Sequence, residues 1–92
     1  MSIDRDRLER RLREEFGGSS GAARVVARQA ADLRDSGRYE TDTGIDLTTE
    51  IVLEELADAP DGGPPERWNW WIGSLEIAFG GYEGFGIRRY RK

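Results

Sequence analysis

The sequence predicts a mainly α fold: a small bundle of about four helices with an aromatic, glycine-rich C-terminal helix. Three observations carry this. Apolar residues recur at steps of three and four in several segments, the spacing of one helical face. Glycine and proline clusters at 17–18, 37 and 60–65 divide those segments, where chains turn most easily. The length of 92 residues suits one domain that buries about 60–65% of its unfolded surface, so residues 1–92 are read as a single globular unit.

The first helix is marked by Leu8, Leu12 and Phe16 at four-residue steps, with Gly17-Gly18 as its stop. Ser2 is the expected cap, and Asp4 and Asp6 suit the positive end of the helix dipole. Ser19-Ser20 open a second helix, closed by Gly37, whose inner face gathers Ala22, Val26, Ala30 and Leu33. So many alanines imply a close helix–helix approach. Arg24, Arg28 and Arg34 are expected on its solvated surface. Residues 38–46 read as a polar connection, and a third helix follows with Thr48 as cap and Leu47 and Val52 as a hydrophobic staple. The breaker "PDGGPP" at 60–65 ends that helix, and Pro65 suits the first turn of the next.

Residues 68–82 admit two readings. On a helix, Trp68, Trp71, Ile72, Leu75, Ala78, Phe79 and Tyr82 share one face at about 100° per residue. Gly73, Gly80 and Gly81 each weaken it by ~1 kcal/mol relative to alanine. The alternative is an α+β chain with a β-hairpin around Gly80-Gly81. That pairing sets Leu75 and Ile77 against glycines and Phe85 and Ile87 against Glu76 and Ser74, a poor match of cross-strand faces. The helix is favoured, with a bend or end near Gly80-Gly81 and "GIRRYRK" at 86–92 as a short extended tail. On that helix Trp70 points away from the other tryptophans, beside Ile77 and amid Gly73, Ser74, Gly81 and Gly84. One large aromatic among small residues suits an anchor for a facing partner.

The chemistry available is narrow. With neither cysteine nor histidine, the chain has no thiolate, no sulfur-based zinc site and no near-neutral acid/base. No Ser–His–Asp or Cys–His set can form. The one lysine is Lys92, so a phosphate loop of the G-x-x-x-x-G-K type is excluded, and "GGYEGFG" lacks the strand–loop–helix setting of other phosphate loops. Carboxylates remain: Glu50 and Glu54 share a helix face, and Asp42, Asp46 and Glu76 could converge on them around a hard cation. An exposed acidic face explains the same residues without a ligand. No cofactor, metal or catalytic residue is assigned, and the chain is read as a non-enzyme.

Charge is segregated. Residues 1–38 carry nine arginines against seven acids, 39–66 carry nine acids and no base, and 67–92 carry five bases against two acids. Such blocks either complement one another inside the fold or prepare a surface for a charged partner, and the internal arrangement is favoured in so short a chain. Thirteen of the basic residues are arginine, which either base composition or salt adaptation explains. The N-terminal stretch lacks a signal-type apolar core, and nothing approaches the ~20 apolar residues of a membrane span. A cytoplasmic location is expected.

The stretch "RWNWWIGSLEIAFGGYEGFGIRRY", with the lysine-poor acidic composition, resembles small uncharacterised proteins of halophilic archaea. The resemblance covers about the last quarter of the chain. That family has no established activity, so the resemblance implies no site residue; it implies that salt adaptation contributes to the arginine and acid content.

The expected function is protein interaction, as a homodimer or with another protein, through Trp70, Gly73, Ser74, Ile77, Gly81 and Gly84. The alternative is a nucleic-acid-binding accessory using Arg88, Arg89, Tyr90, Arg91 and Lys92, where bases flank a stacking ring. The acidic pI near 4.8 opposes that alternative, since phosphate backbones are repelled by net negative charge.

Overall fold

The computed structural model describes residues 3–87. Five helices follow one another: α1 (Arg5–Phe16), α2 (Ser20–Ser36), α3 (Arg38–Thr43), α4 (Thr49–Ala57) and α5 (Pro64–Phe79), with a 3-10 turn at Glu83–Phe85. The chain is mainly α, and no strand occurs among the described residues, which removes the hairpin alternative for residues 80–87.

Local chemistry sets most of the boundaries. Asp4 caps α1, its carboxylate accepting from the Arg7 N–H at 3.2 Å. This corrects the expected cap, Ser2, which lies outside the described residues. Leu8 and Leu12 are fully buried, and the turn through Gly17-Gly18 folds α1 back along α2. Ser19 caps α2 at the Ala22 N–H, and Ala23, Ala27 and Ala30 are all buried, letting the helices approach closely.

The connection expected at 38–46 contains a helix. Gly37 ends α2 in the left-handed region (φ +74°) and at the same time begins α3, so the chain turns within one residue. That short helix carries Tyr39 onto Trp71, with ring centroids 5.7 Å apart. Thr48 caps α4 by accepting from the Ile51 N–H, and Leu47 and Val52 are buried beside it.

Between α4 and α5 the polar loop is held by Arg67. Its Nη1 donates to the carbonyls of Leu56 (3.0 Å) and Ala59 (3.3 Å), and its Nε to that of Gly62 (2.7 Å). The guanidinium also lies over the Phe16 ring, 4.6 Å from its centroid. One side chain thus satisfies the open carbonyl end of α4 and ties it to α1. Glu66 accepts from the Gly63 N–H at 3.1 Å, and Pro64 and Pro65 occupy the first turn of α5, where the missing N–H costs nothing.

Trp68 lies at the centre of the core, fully buried and edge-on to Trp71 at 5.5 Å. Trp71, Ile72 and Leu75 complete the inner face of α5, which packs on α2 and α4. The expected face runs further, through Ala78, Phe79 and Tyr82. As expected, α5 ends at the glycine pair: it stops at Phe79, Gly80 caps it at φ +79°, and Gly81 follows at φ +82°. Ala78 and Phe79 are exposed, while Tyr82 is fully buried. It reaches the core from a returning segment, not as a further turn of α5.

Candidate interaction surface

The WNWW run is divided by helical geometry. Trp68 and Trp71 face inward, whereas Trp70 is 40% exposed and Ile77, two turns further on, is 89% exposed. Gly73 and Ser74 lie between them, also exposed, and a Cβ added at Gly73 would meet nothing within 4 Å. Ser74 donates its hydroxyl to the Trp70 carbonyl at 3.2 Å, so the one polar side chain between the two anchors is turned onto its own helix. Among the described residues four large hydrophobic side chains are exposed, and three of them, Trp70, Ile77 and Phe79, belong to α5.

Of the six residues expected to form an interface, Trp70, Gly73, Ser74 and Ile77 therefore share one outer face. Gly81 and Gly84 do not continue it, because the helix ends before them. Both lie in the strap of residues 80–87, which doubles back over α5. A side chain at Gly81 would collide with the Arg38 guanidinium.

Asn69 is the one letter of the run that is not tryptophan, and its role is concealed in the sequence. Its Nδ2 donates to the Ile87 carbonyl and its Oδ1 accepts from the Ile87 N–H, both at 2.7 Å. Trp68 donates its indole N–H to the Phe85 carbonyl at 2.8 Å. The four residues of the run thus divide the work. Trp68 fills the core and holds the strap, Asn69 clamps the strap, Trp70 faces outward, and Trp71 packs on Tyr39. A family model for the WNWW domain matches residues 1–76. The chain belongs to the WNWW domain family. No curated protein and no solved structure matches it.

The other end of the strap is pinned by charge. Arg38 donates to the Gly80 carbonyl at 2.6 Å and, through Nε, to the Asp42 carboxylate at 3.0 Å. The Tyr82 hydroxyl donates to the same carboxylate at 2.8 Å, and Arg38 lies over the Tyr82 ring. The hydrogen bonds from Tyr82 and Arg38 hold the Asp42 carboxyl below the usual carboxylate range. Burial, reinforced by the hydrogen bond to Asp42 and its charge, pushes the Tyr82 phenol up to about 12.

The carboxylates considered as a cation site in the WNWW domain are not brought together. Asp42 is used by Arg38 and Tyr82; Asp46 pairs with Arg34 at 3.1 Å and Glu50 with Arg7 at 2.7 Å. Glu76 accepts from the N–H groups of Tyr82 and Glu83. Among the described residues no group of three or more acids is placed to hold a metal ion. Asp42, Asp46 and Glu50 tie the acidic block to arginines of residues 1–38, the internal complementarity that the charge pattern suggests. On α4 the excess persists: burial first, then the Asp58 and Glu54 charges, raise the Glu55 carboxyl.

Arg24 and Arg28 border a groove with Arg5, Asp6 and Glu9, a surface of mixed charge. Arg88, Arg89, Tyr90, Arg91 and Lys92 lie outside the described residues. No helix among the described residues is long and apolar enough to cross a membrane.

Proposed function

We propose that this protein is a non-enzymatic interaction module that self-associates through the outer face of α5. The observation that carries the reading is the exposed pair Trp70 and Ile77, on one stripe of a helix whose opposite face is fully used by the core. A second copy suits this face for two reasons. A twofold axis sets a patch against itself, and the stripe from Trp70 to Ile77 has no charged residue at positions 70, 73, 74 or 77 to repel its equivalent. Trp70 and Ile77 also lie symmetrically about the Gly73-Ser74 pair. In an antiparallel pair, Trp70 of one copy opposes Ile77 of the other, about 10 Å along the helix from the reciprocal contact, with the smallest residues at the closest approach.

A single helix face is smaller than the roughly 800 Å² per partner of a standard interface, so the dimer is concentration-dependent. Sedimentation from micromolar to millimolar protein is expected to give a rising mass for the wild type and a constant monomer mass for Trp70→Ala. A wild-type mass that stays monomeric throughout defeats the proposal. The lysine-poor acidic composition supports a salt-adapted setting, in which an apolar contact persists while exposed charges are screened. Raising salt should therefore strengthen the association or leave it unchanged.

A further inference from the structure

The strap is bound as a peptide is bound. Seven hydrogen bonds join it to the helices through its own main chain. Arg38 donates to the Gly80 carbonyl; Gln29 and Trp68 both donate to that of Phe85; Asn69 makes its paired bonds to Ile87; and Glu76 accepts from the N–H groups of Tyr82 and Glu83. Because these bonds address main-chain atoms, they set a backbone path and leave specificity to the side chains. Those are Tyr82, fully buried with its hydroxyl on Asp42, and Phe85 and Ile87, half-buried at the edge of the core.

Two features of the structure favour separation of the bound segment from its receptor, whose donors and acceptors all come from the helices. A groove of about 430 Å³ remains open alongside the strap, bordered by Asn69, Gly73, Glu76, Glu83 and Ile87, so the contact is not a closed apolar seam. The link to α5 is two glycines at φ +79° and +82°, a hinge whose conformation other residues rarely adopt.

We infer that Gln29, Trp68, Asn69 and Glu76 form a receptor for an aromatic peptide segment of the pattern Tyr-x-x-Phe-x-Ile, filled in cis by the chain's own strap and in trans by the strap of a second copy. Reciprocal exchange conserves the bonds to Tyr82, Glu83, Phe85 and Ile87 and gives up the Arg38 bond to the hinge carbonyl of Gly80, so the closed monomer and the exchanged dimer differ at the hinge and in the cost of association. A change that disfavours the hinge shifts that balance. Gly80 sits at φ +79° and ψ 155°, a region almost confined to glycine, and alanine there favours a continuing helix.

Strap exchange does not depend on the outer face of α5, and its test is run with that face disabled. The full chain carrying Trp70→Ala and Gly80→Ala is expected to raise the dimer population by about tenfold or more over Trp70→Ala alone, read by sedimentation. In a mixture of isotope-labelled and unlabelled chains, filtered NOEs should link the Trp68 indole of one copy to the Phe85 ring of the other. A double variant that stays monomeric, or a dimer without those intermolecular NOEs, overturns the inference. If circular dichroism shows the double variant unfolded, the wild-type chain decides with a synthetic peptide of residues 80–87 bearing an N-terminal nitroxide. In excess it should broaden the Trp68 indole and Asn69 amide signals, and unchanged signals overturn the inference equally.

Discussion

The two faces of α5 are built from similar letters to opposite ends. On the inner face Trp68 and Trp71 are surrounded, with Trp71 packed between Trp68 and Tyr39, and the buried indole N–H of Trp68 is satisfied by a carbonyl. On the outer face Trp70 and Ile77 have solvent on one side and small residues between them. Burying an aromatic side chain that covers about 150–250 Å² at ~25 cal/mol per Å² stabilises the fold by about 4–6 kcal/mol as an upper bound. A half-exposed one contributes only part of that. Burial, not residue type, separates the tryptophans that hold the domain together from the one left at the surface.

The sharpest break in that comparison is alanine at each tryptophan. Trp68→Ala should lower stability by about 3–5 kcal/mol through the cavity it leaves, and it also removes one donor from the Phe85 carbonyl. Trp70→Ala should cost less, about 1–2 kcal/mol, because the ring is partly covered and no cavity is left. Urea unfolding of both variants measures the difference, and near-equal midpoints would dissolve the distinction between the faces. Arg67→Ala comes next: three carbonyl bonds and the contact with Phe16 are worth about 2–3 kcal/mol together. Arg67→Lys should recover little of it, because a single ammonium cannot reproduce the planar fork.

Asn69 sits on the boundary between the faces. Asn69→Ala deletes both bonds to Ile87, and at an exposed site the loss should be about 1–2 kcal/mol. Amide exchange should rise at Ile87 first, with the Trp68 core still protected. Uniform loss of protection would mean that the strap and the core open as one unit.

These residues also mark how much of the molecule is legible in its sequence. The helical stripe through Trp68, Trp71, Ile72 and Leu75 is readable because helix periodicity reports which face is wet, and the same pattern singles out Trp70 and Ile77. Gly80-Gly81 marks where α5 ends, but the path beyond is not readable, because Tyr82 falls in phase with the inner face while reaching it from a strap that reverses at that pair. Periodicity cannot distinguish those two paths. Gly81 and Gly84 fall on the outer face of an uninterrupted helix for the same reason that Tyr82 falls on the inner one. The roles of Asn69, Gln29 and Glu76 leave no pattern at all, since they address main-chain atoms, which carry no sequence identity. The short α3 is hidden in a polar run, where only Tyr39 is buried.

The Tyr82–Asp42 pin gives the strap a pH signature. Tyr82 titrates near 10.0 when free and at about 12 in the fold, so the native state holds its proton more tightly. That stability is fully present below pH 10 and is lost as pH rises through about 12. Tyr39, also raised, first by burial and then by Glu55, adds to the same alkaline loss. Asp42 is lowered, so its contribution is present above the ordinary carboxylate range and disappears as pH falls through its native value. Melting temperature should therefore decline between about pH 10 and 12, and Tyr82→Phe should flatten part of that decline while lowering the plateau near neutral pH. A decline unchanged in Tyr82→Phe would mean that the pin does not contribute to the alkaline loss.

The smallest effect on stability is the most informative about the outer face. Ile77 is 89% exposed, so Ile77→Gln removes almost no buried surface, and glutamine is the better helix former by a few tenths of a kcal/mol. The melting temperature should stay level or rise slightly. Association should nevertheless weaken, because a polar amide then opposes Trp70 of the second copy in the antiparallel register. Pairing Ile77→Gln with Trp70→Phe, a milder change that leaves association measurable, tests that register directly. Residues in contact across the interface give non-additive losses, whereas independent positions add to within about 0.3–0.5 kcal/mol. Strict additivity would move the twofold axis away from Gly73-Ser74 while leaving the outer face itself in place.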